Sequence, residues 1–241
     1  MNREDLSSLA LVNHLFFDTV DCRIWRDVTF RFTRNSSPSD MERRLRTLLS
    51  KVEQGRVVTN LQFHVDSLNA PEIDRFRICF GELLTRLSGL KSLTLADGRD
   101  TFVNRQSGIC PSFHLVELHI HFAITSKHWD LIFAQPTIRR LSLNSLFGTE
   151  AYCLPDIPIN ALPQLEALSA RFDIVEKLLP GRPVKYFATT FPDFEQLGCL
   201  VKKSTVPLTA LSVGLYYGAE ALLQKLADQT PCVSWEYPPS F

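Results

Sequence analysis

One spacing recurs along the chain: an apolar residue, two variable residues, a second apolar residue, one variable residue and a third apolar residue. We call these six positions the motif. It begins at nine places, which are Trp25, Val58, Leu90, Leu115, Ile138, Leu165, Val184, Leu208 and Cys232. The intervals average about 26 residues, a period typical of stacked-repeat proteins. Because one such unit cannot bury its apolar residues alone, the spacing predicts stacked units that share a core.

Alternation within the motif predicts a short strand in each unit. Successive side chains of a strand point to opposite faces, so motif positions 4 and 6 point inward and positions 3 and 5 point outward. Apolar residues at helical spacing lie between the motifs, at residues 41–52, 73–87, 129–133, 174–179, 194–201 and 219–226. The sequence therefore predicts an α/β fold: a curved solenoid with parallel strands on the concave face and helices on the convex face. Ser39 or Asp40 is expected to cap the first of these helices.

The repeats are irregular, and two positions are weak. Ala170 and Thr189 occupy inward positions where a large apolar residue is expected, so local irregularity is predicted there. We expect residues 1–23 to form a helical cap and residues 24–241 to form the repeat domain. A separate small α/β domain before about residue 110 is the alternative, although the motif continues through that point.

Composition argues against several classes of function. The 26 basic and 26 acidic residues give a net charge of zero, so no nucleic-acid or membrane partner is expected. We find no secretory signal and no apolar run that would span a bilayer, and we expect a cytoplasmic or nuclear protein. Phosphate-binding loops, nucleophile elbows and zinc-protease motifs do not occur in the sequence, and we expect neither enzyme activity nor a cofactor.

One cluster resembles a metal site on first inspection. Glu117, His119 and His121 alternate along one predicted strand and share its outward face. Over such a strand the three side chains span roughly 13 Å, too far to share ligand bonds near 2 Å. We therefore interpret them as part of a polar strip, and a metal-dependent enzyme remains a distant alternative.

The outward positions together predict a binding surface for another protein, on a chain expected to be a monomer. Arginine, tyrosine and other large side chains are common among the residues that dominate binding energy. The candidate partner-binding residues on the predicted concave face are His64, Glu117, His119, His121, Arg140, Asn144, Arg171 and Tyr186.

The N-terminal residues carry a resemblance to a known family. Residues 6–17, LSSLALVNHLFF, followed by residues 22–28, CRIWRDV, resemble the second half of an F-box. With the repeats, the chain resembles fungal F-box proteins that carry irregular leucine-rich repeats. That resemblance implies a Skp-type adaptor of a cullin-RING ubiquitin ligase as one partner and a substrate protein held by the repeats. The residues expected to face the adaptor are Leu9, Val12, Phe16 and Phe17.

The sequence departs from that family at its start. An F-box opens with a Leu-Pro-x-Glu helix, and here only residues 1–5 precede the matching segment. We therefore expect an F-box truncated at its N-terminus, either in a shortened gene product or in a short protein that lost the adaptor contact. A leucine-rich-repeat interaction protein with no ubiquitin-ligase link is the alternative.

Overall fold

The structure is a computed structural model of the 241-residue chain. It describes residues 24–33, 36–53, 57–65, 70–97, 112–122, 124, 126–143, 155–190, 199–200, 202–214 and 234–236. The chain divides into two compact units, Met1–Leu115 and Val116–Phe241. The predicted cap over residues 1–23, the predicted helix at 219–226 and most of the one at 194–201 lie outside the described residues.

Strands and helices alternate in the first unit. Its elements are β1 (Asp27–Phe32), α1 (Pro38–Glu53), β2 (Asn60–Val65), α2 (Ala70–Arg86) and β3 (Ser92–Asp97). The three strands pair in parallel, with their first residues opposite one another. Phenylalanines fill part of the core: the ring centroids of Phe30 and Phe63 are 4.9 Å apart, and those of Phe63 and Phe80 are 4.6 Å apart.

Helix α1 follows the predicted apolar stripe but begins earlier than predicted. Met41, Leu45 and Leu48 are buried on one face. The capping prediction of Ser39 or Asp40 was wrong, because the hydroxyl of Ser37 accepts the Asp40 backbone N–H at 3.2 Å. The helix begins at Pro38, whose fixed φ and missing N–H suit a first helical position.

The second unit contains six parallel strands among its described residues. Its elements are β4 (Glu117–Ile120), α3 (Ser126–Phe133), β5 (Arg140–Leu143), β6 (Ala167–Arg171), α4 (Phe172–Leu178), β7 (Tyr186–Thr190), β8 (Ala210–Gly214) and β9 (Ser234–Glu236). Neighbours in this order pair in parallel, again with first residue opposite first residue. The predicted α/β class with parallel strands is confirmed. No described helix combines the length and apolar character needed to cross a bilayer.

The motif places each strand correctly in both units. Every strand begins two residues after the first motif position, and the described inward residues, such as Leu93, Leu118 and Phe187, are buried. The two weak positions, Ala170 and Thr189, are also buried and lie opposite each other in the paired strands. The predicted irregularity therefore does not extend to strand pairing at this point, because ladder bonds involve backbone atoms rather than side chains.

A repeated backbone arrangement explains why irregular sequences keep one frame. The carbonyl at motif position 2 accepts N–H groups from positions 2 and 3 of the next unit along the sheet. Glu166 and Ala167 donate in this way to Arg139 at 2.8 and 2.9 Å, and Lys185 and Tyr186 donate to Glu166 at 2.8 and 3.1 Å. The carbonyls of Arg26, Thr59, Val116 and Lys185 accept equivalent pairs. Because these bonds need no particular side chain, the frame tolerates sequence variation.

A buried arginine ties the connection before β6 to the end of α4. Arg182 is 3% exposed, and its guanidinium donates four hydrogen bonds to backbone carbonyl oxygens. The acceptors are Leu178 at 2.7 Å, Ala161 at 2.8 Å, Pro180 at 3.1 Å and Pro158 at 3.2 Å. Burial lowers the pKa of Arg182 from its ordinary value. The side chain thus replaces secondary structure as the partner of these carbonyls.

Candidate functional site

Two rows of outward residues cross the sheet of the second unit. The row at motif position 5 reads His119, Ser142, Ser169, Ala188 and Ser212 from β4 to β8, with each residue opposite the next. The row at position 3 reads Glu117, Arg140, Ala167, Tyr186 and Ala210. Adjacent strands lie about 4.8 Å apart, so the four small residues of the position-5 row form a strip roughly 14 Å long.

A shallow depression of about 260 Å³ opens on these rows. We call it the β4–β8 depression. Its floor contains the small residues of both rows, and its larger outward-facing residues are His119, Arg140 and Tyr186; Leu141, Leu168, Phe187 and Leu211 also line it. Tyr186 is 51% exposed, whereas Ser142, although it faces outward, is only 8% exposed. The depression exists because short side chains lie between longer ones on a regular strand surface.

An ion pair joins β4 to β5 beside the depression. The Nη1 atom of Arg140 donates to Oε1 of Glu117 at 2.5 Å. The Arg140 side chain is 65% exposed and that of Glu117 is 29% exposed. The carboxylate is therefore engaged by an arginine, and the positive charge of Arg140 is balanced by its nearest acidic neighbour.

His119 is half-buried at the end of the row of small residues. Burial lowers the pKa of its imidazole from the ordinary value. Glu117 opposes that change by raising the pKa, and Arg140 adds to it. Since the pKa is below its usual value of 6.5, the imidazole is mostly neutral at pH 7. The residues around the depression thus present little uncompensated charge.

The structure separates the other predicted site residues from this depression. His121 follows β4 and is half-buried, but it does not line the depression. Arg171, at the end of β6, donates to the carboxylate of Asp173 at 3.2 and 3.1 Å. His64 lies on β2 of the first unit, between Arg31 and Ala96 in the strand register.

Five predicted residues cannot be placed. Asn144, from the candidate partner-binding set, lies outside the described residues. So do the four residues proposed to face an adaptor, Leu9, Val12, Phe16 and Phe17. Among the residues that the structure does describe, no group of three histidine, cysteine or acidic side chains is arranged to hold a metal ion.

Sequence reasoning missed the floor of the depression. It selected large polar side chains and passed over Ser142, Ser169, Ala188 and Ser212. A signal was present, because motif position 5 is small in four consecutive units and larger in the units before them. A run of small residues at one motif position predicts a depression only when the strands are known to pair in register.

The ion pair between Glu117 and Arg140 should contribute little to stability. We expect Glu117→Gln to change the free energy of unfolding by less than about 1 kcal/mol, because exposed pairs gain little in water. Urea unfolding at low and high salt measures this change. A loss well above that bound, or one that salt does not reduce, would show that the pair is a structural requirement.

Comparison with known proteins gives no match: no protein-family model, no curated protein and no solved structure is significantly similar to this chain.

Proposed function

We propose that this chain recognises another protein through the outward face of β4–β8. The observation that carries the proposal is the exposed side of a parallel sheet. Parallel sheets are almost always covered on both faces. Here the inward residues are buried, while outward residues such as Arg140 and Tyr186 remain exposed around the β4–β8 depression. A partner protein would cover that face.

The chemistry of the face suits protein recognition. Arginine and tyrosine are enriched among interface residues that dominate binding energy, and both border the β4–β8 depression. Regular strands hold these side chains at fixed spacing, so little conformational freedom of the backbone is lost on binding. Half-buried polar residues, such as Glu117 and His119, would lie around the contact, as in typical interface rims.

We further propose that the motif units are irregular leucine-rich repeats of a curved solenoid. The mean period of about 26 residues and the strand at a fixed place in each unit support this assignment. The recurring pair of N–H groups that share one carbonyl of the preceding unit also supports it. In such an arc the strand face would be the concave one.

Variants of the face test protein recognition directly. A partner is first identified by crosslinking in native extract and then purified, and its affinity is measured by calorimetry. We expect Tyr186→Ala and Ala188→Glu each to weaken binding at least about tenfold, since one removes an exposed aromatic contact and the other places a charge in the depression.

The matched control is Ile159→Ala. Ile159 is 84% exposed in the same unit, so its truncation also removes an exposed apolar side chain, but it does not line the depression. Its affinity should equal that of the parent chain. Unchanged affinity in both Tyr186→Ala and Ala188→Glu would place the interface elsewhere.

The link to a ubiquitin ligase is a separate proposal with its own test. By the sequence resemblance, the chain would be the substrate-recognition arm of an F-box-type ligase. Co-expression with a Skp-type adaptor should then give a stoichiometric complex that Leu9→Asp disrupts. If the adaptor does not capture the chain, the alternative of a repeat protein with no ligase link would stand.

A further inference from the structure

We propose that the β4–β8 depression accepts one uncharged, apolar side chain of the partner protein, about the size of leucine or phenylalanine. This inference rests on the proposed function and specifies its central contact. Three features of the depression carry it: its volume, the shape of its floor and the pairing of the charges around it.

The volume points to a single side chain. At about 260 Å³ the depression is below the range of roughly 300–1,000 Å³ typical of small-molecule sites. Such sites also enclose most of their ligand, whereas this depression lies open on a sheet surface. A small, open recess at the centre of a protein-binding face is instead the kind of place that holds one anchoring residue.

The small residues give the depression a mostly apolar base. Ala167, Ala188 and Ala210 contribute methyl groups, and Ser142 and Ser169 contribute small side chains between them. The exposed Tyr186 lies between Ala167 and Ala210 in the strand register, and its ring offers apolar contact area at low entropic cost. An aliphatic or aromatic side chain would therefore find contacts below and beside it.

The nearby charges select against a charged occupant. Arg140, which lines the depression, is paired with Glu117 at 2.5 Å. A lysine or aspartate entering the depression would lose hydration without gaining an unengaged counter-charge. An uncharged side chain avoids that cost. Because the charge of Arg140 is already paired, an uncharged side chain is the electrostatically complementary occupant of the depression.

Capped amino acids test the inference on the full chain. The probes are N-acetyl-leucinamide, N-acetyl-phenylalaninamide, the α-amide of N-acetyl-aspartic acid with its side-chain carboxylate free, and N-acetyl-lysinamide. Binding is followed by the chemical shifts of the protein's backbone amides. We expect the first two to bind with millimolar dissociation constants, as ligands of this size allow, and to shift the amides of Ser169 and Ala188. The charged probes should bind at least about fivefold more weakly.

Two variants sharpen the test. Ala188→Phe would fill the depression and remove binding of the apolar probes. Its matched control is Thr94→Phe, which makes a similar change at motif position 5 of β3 in the first unit, and which should leave binding unchanged.

Because Ala188→Phe could disturb folding, Glu117→Gln provides an independent measure. That variant leaves Arg140 without its carboxylate partner, so the aspartate probe should gain affinity relative to the leucine probe.

Several results would overturn the inference. These are equal binding of charged and apolar probes, binding that survives a folded Ala188→Phe variant, and no shift of the depression amides up to about 50 mM probe. Failure of the proposed function looks different. If the probes bind as expected but Tyr186→Ala and Ala188→Glu leave partner affinity unchanged, the depression binds apolar groups without serving protein recognition.

Discussion

Replacing Arg182 with methionine is expected to lower the free energy of unfolding by about 3 kcal/mol. The change keeps an apolar stem of similar length and removes every N–H donor of the guanidinium. Four buried or part-buried hydrogen bonds to carbonyl oxygens would be lost. The oxygens of Ala161 and Leu178, whose bonds are buried, would remain in a site that water reaches poorly, and unsatisfied buried acceptors are costly.

The geometry explains why arginine occupies this position. Its planar guanidinium carries five N–H donors directed outward as a fork, which can reach carbonyls on different segments at once. Leu178 is the last residue of α4, so no N–H group of the helix donates to its carbonyl, and the guanidinium supplies that donor. A cation at this end of the helix also interacts favourably with the helix dipole. Gly181 has a φ of 77°, which allows the sharp exit from the helix that brings Arg182 back towards it.

Urea unfolding followed by far-ultraviolet circular dichroism measures the effect. Arg182→Lys should lose about half as much stability, because lysine keeps the charge but has fewer donors on a different geometry. The control is Arg139→Met, a change of the same type at an exposed side chain of the same unit, where we expect less than about 0.5 kcal/mol. If Arg182→Met behaved like that control, the four hydrogen bonds would be energetically unimportant.

Acidification from pH 6.5 towards pH 4 is expected to destabilise the protein through His128. This side chain, on α3, is fully buried and contacts the ring of Phe122 edge-on, with ring centroids 5.1 Å apart. Desolvation by burial lowers its pKa from 6.5 to about 4. At neutral pH the imidazole is uncharged, and the folded core does not have to accommodate a charge.

The sign of the pH dependence follows from the lowered pKa. Above about pH 6.5 His128 is neutral in both folded and unfolded chains, so its full contribution to stability is present. Between about pH 6.5 and pH 4 the unfolded chain binds a proton and the folded chain does not. Each pH unit in that window costs about 1.4 kcal/mol, so the loss approaches about 3 kcal/mol near pH 4.

Chemical unfolding at a series of pH values tests this prediction. His128→Leu should reduce the slope between pH 6.5 and 4, whatever its effect on stability at pH 7, and His119, whose pKa burial also lowers, can account for part of the slope that remains. The control is His114→Gln, since His114 is exposed and its replacement should leave the slope intact. An undiminished slope in His128→Leu would assign the acid sensitivity to carboxylates or to other histidines.

The placement of the strands could be predicted from the sequence. All nine strands that the structure describes begin two residues after the first motif position, and motif positions 4 and 6 are buried wherever their side chains are described. The apolar stripe that includes Met41, Leu45 and Leu48 likewise predicted the interior of α1. These features are local, since period-2 and period-3.6 patterns depend only on neighbours along the chain.

Contacts between distant segments could not be predicted in the same way. Arg182 bonds to Pro158 and Ala161, more than 20 residues before it, and no pattern around Arg182 marks it as buried. His128 lies one residue before the predicted apolar stripe at 129–133, and its burial depends on packing against residues such as Phe122. The choice of Ser37 as the helix cap depended on where the backbone turned, one residue before a proline.

The candidate site shows the same division. Sequence alone determined which residues face outward, and Glu117, His119, Arg140 and Tyr186 were among them. Only the tertiary structure decided that Ser142, Ser169, Ala188 and Ser212 form one floor, because parallel pairing in register brings together residues that lie 19 to 27 positions apart in the chain. Strand periodicity is a property of each segment, whereas a depression on a sheet is a property of neighbouring strands.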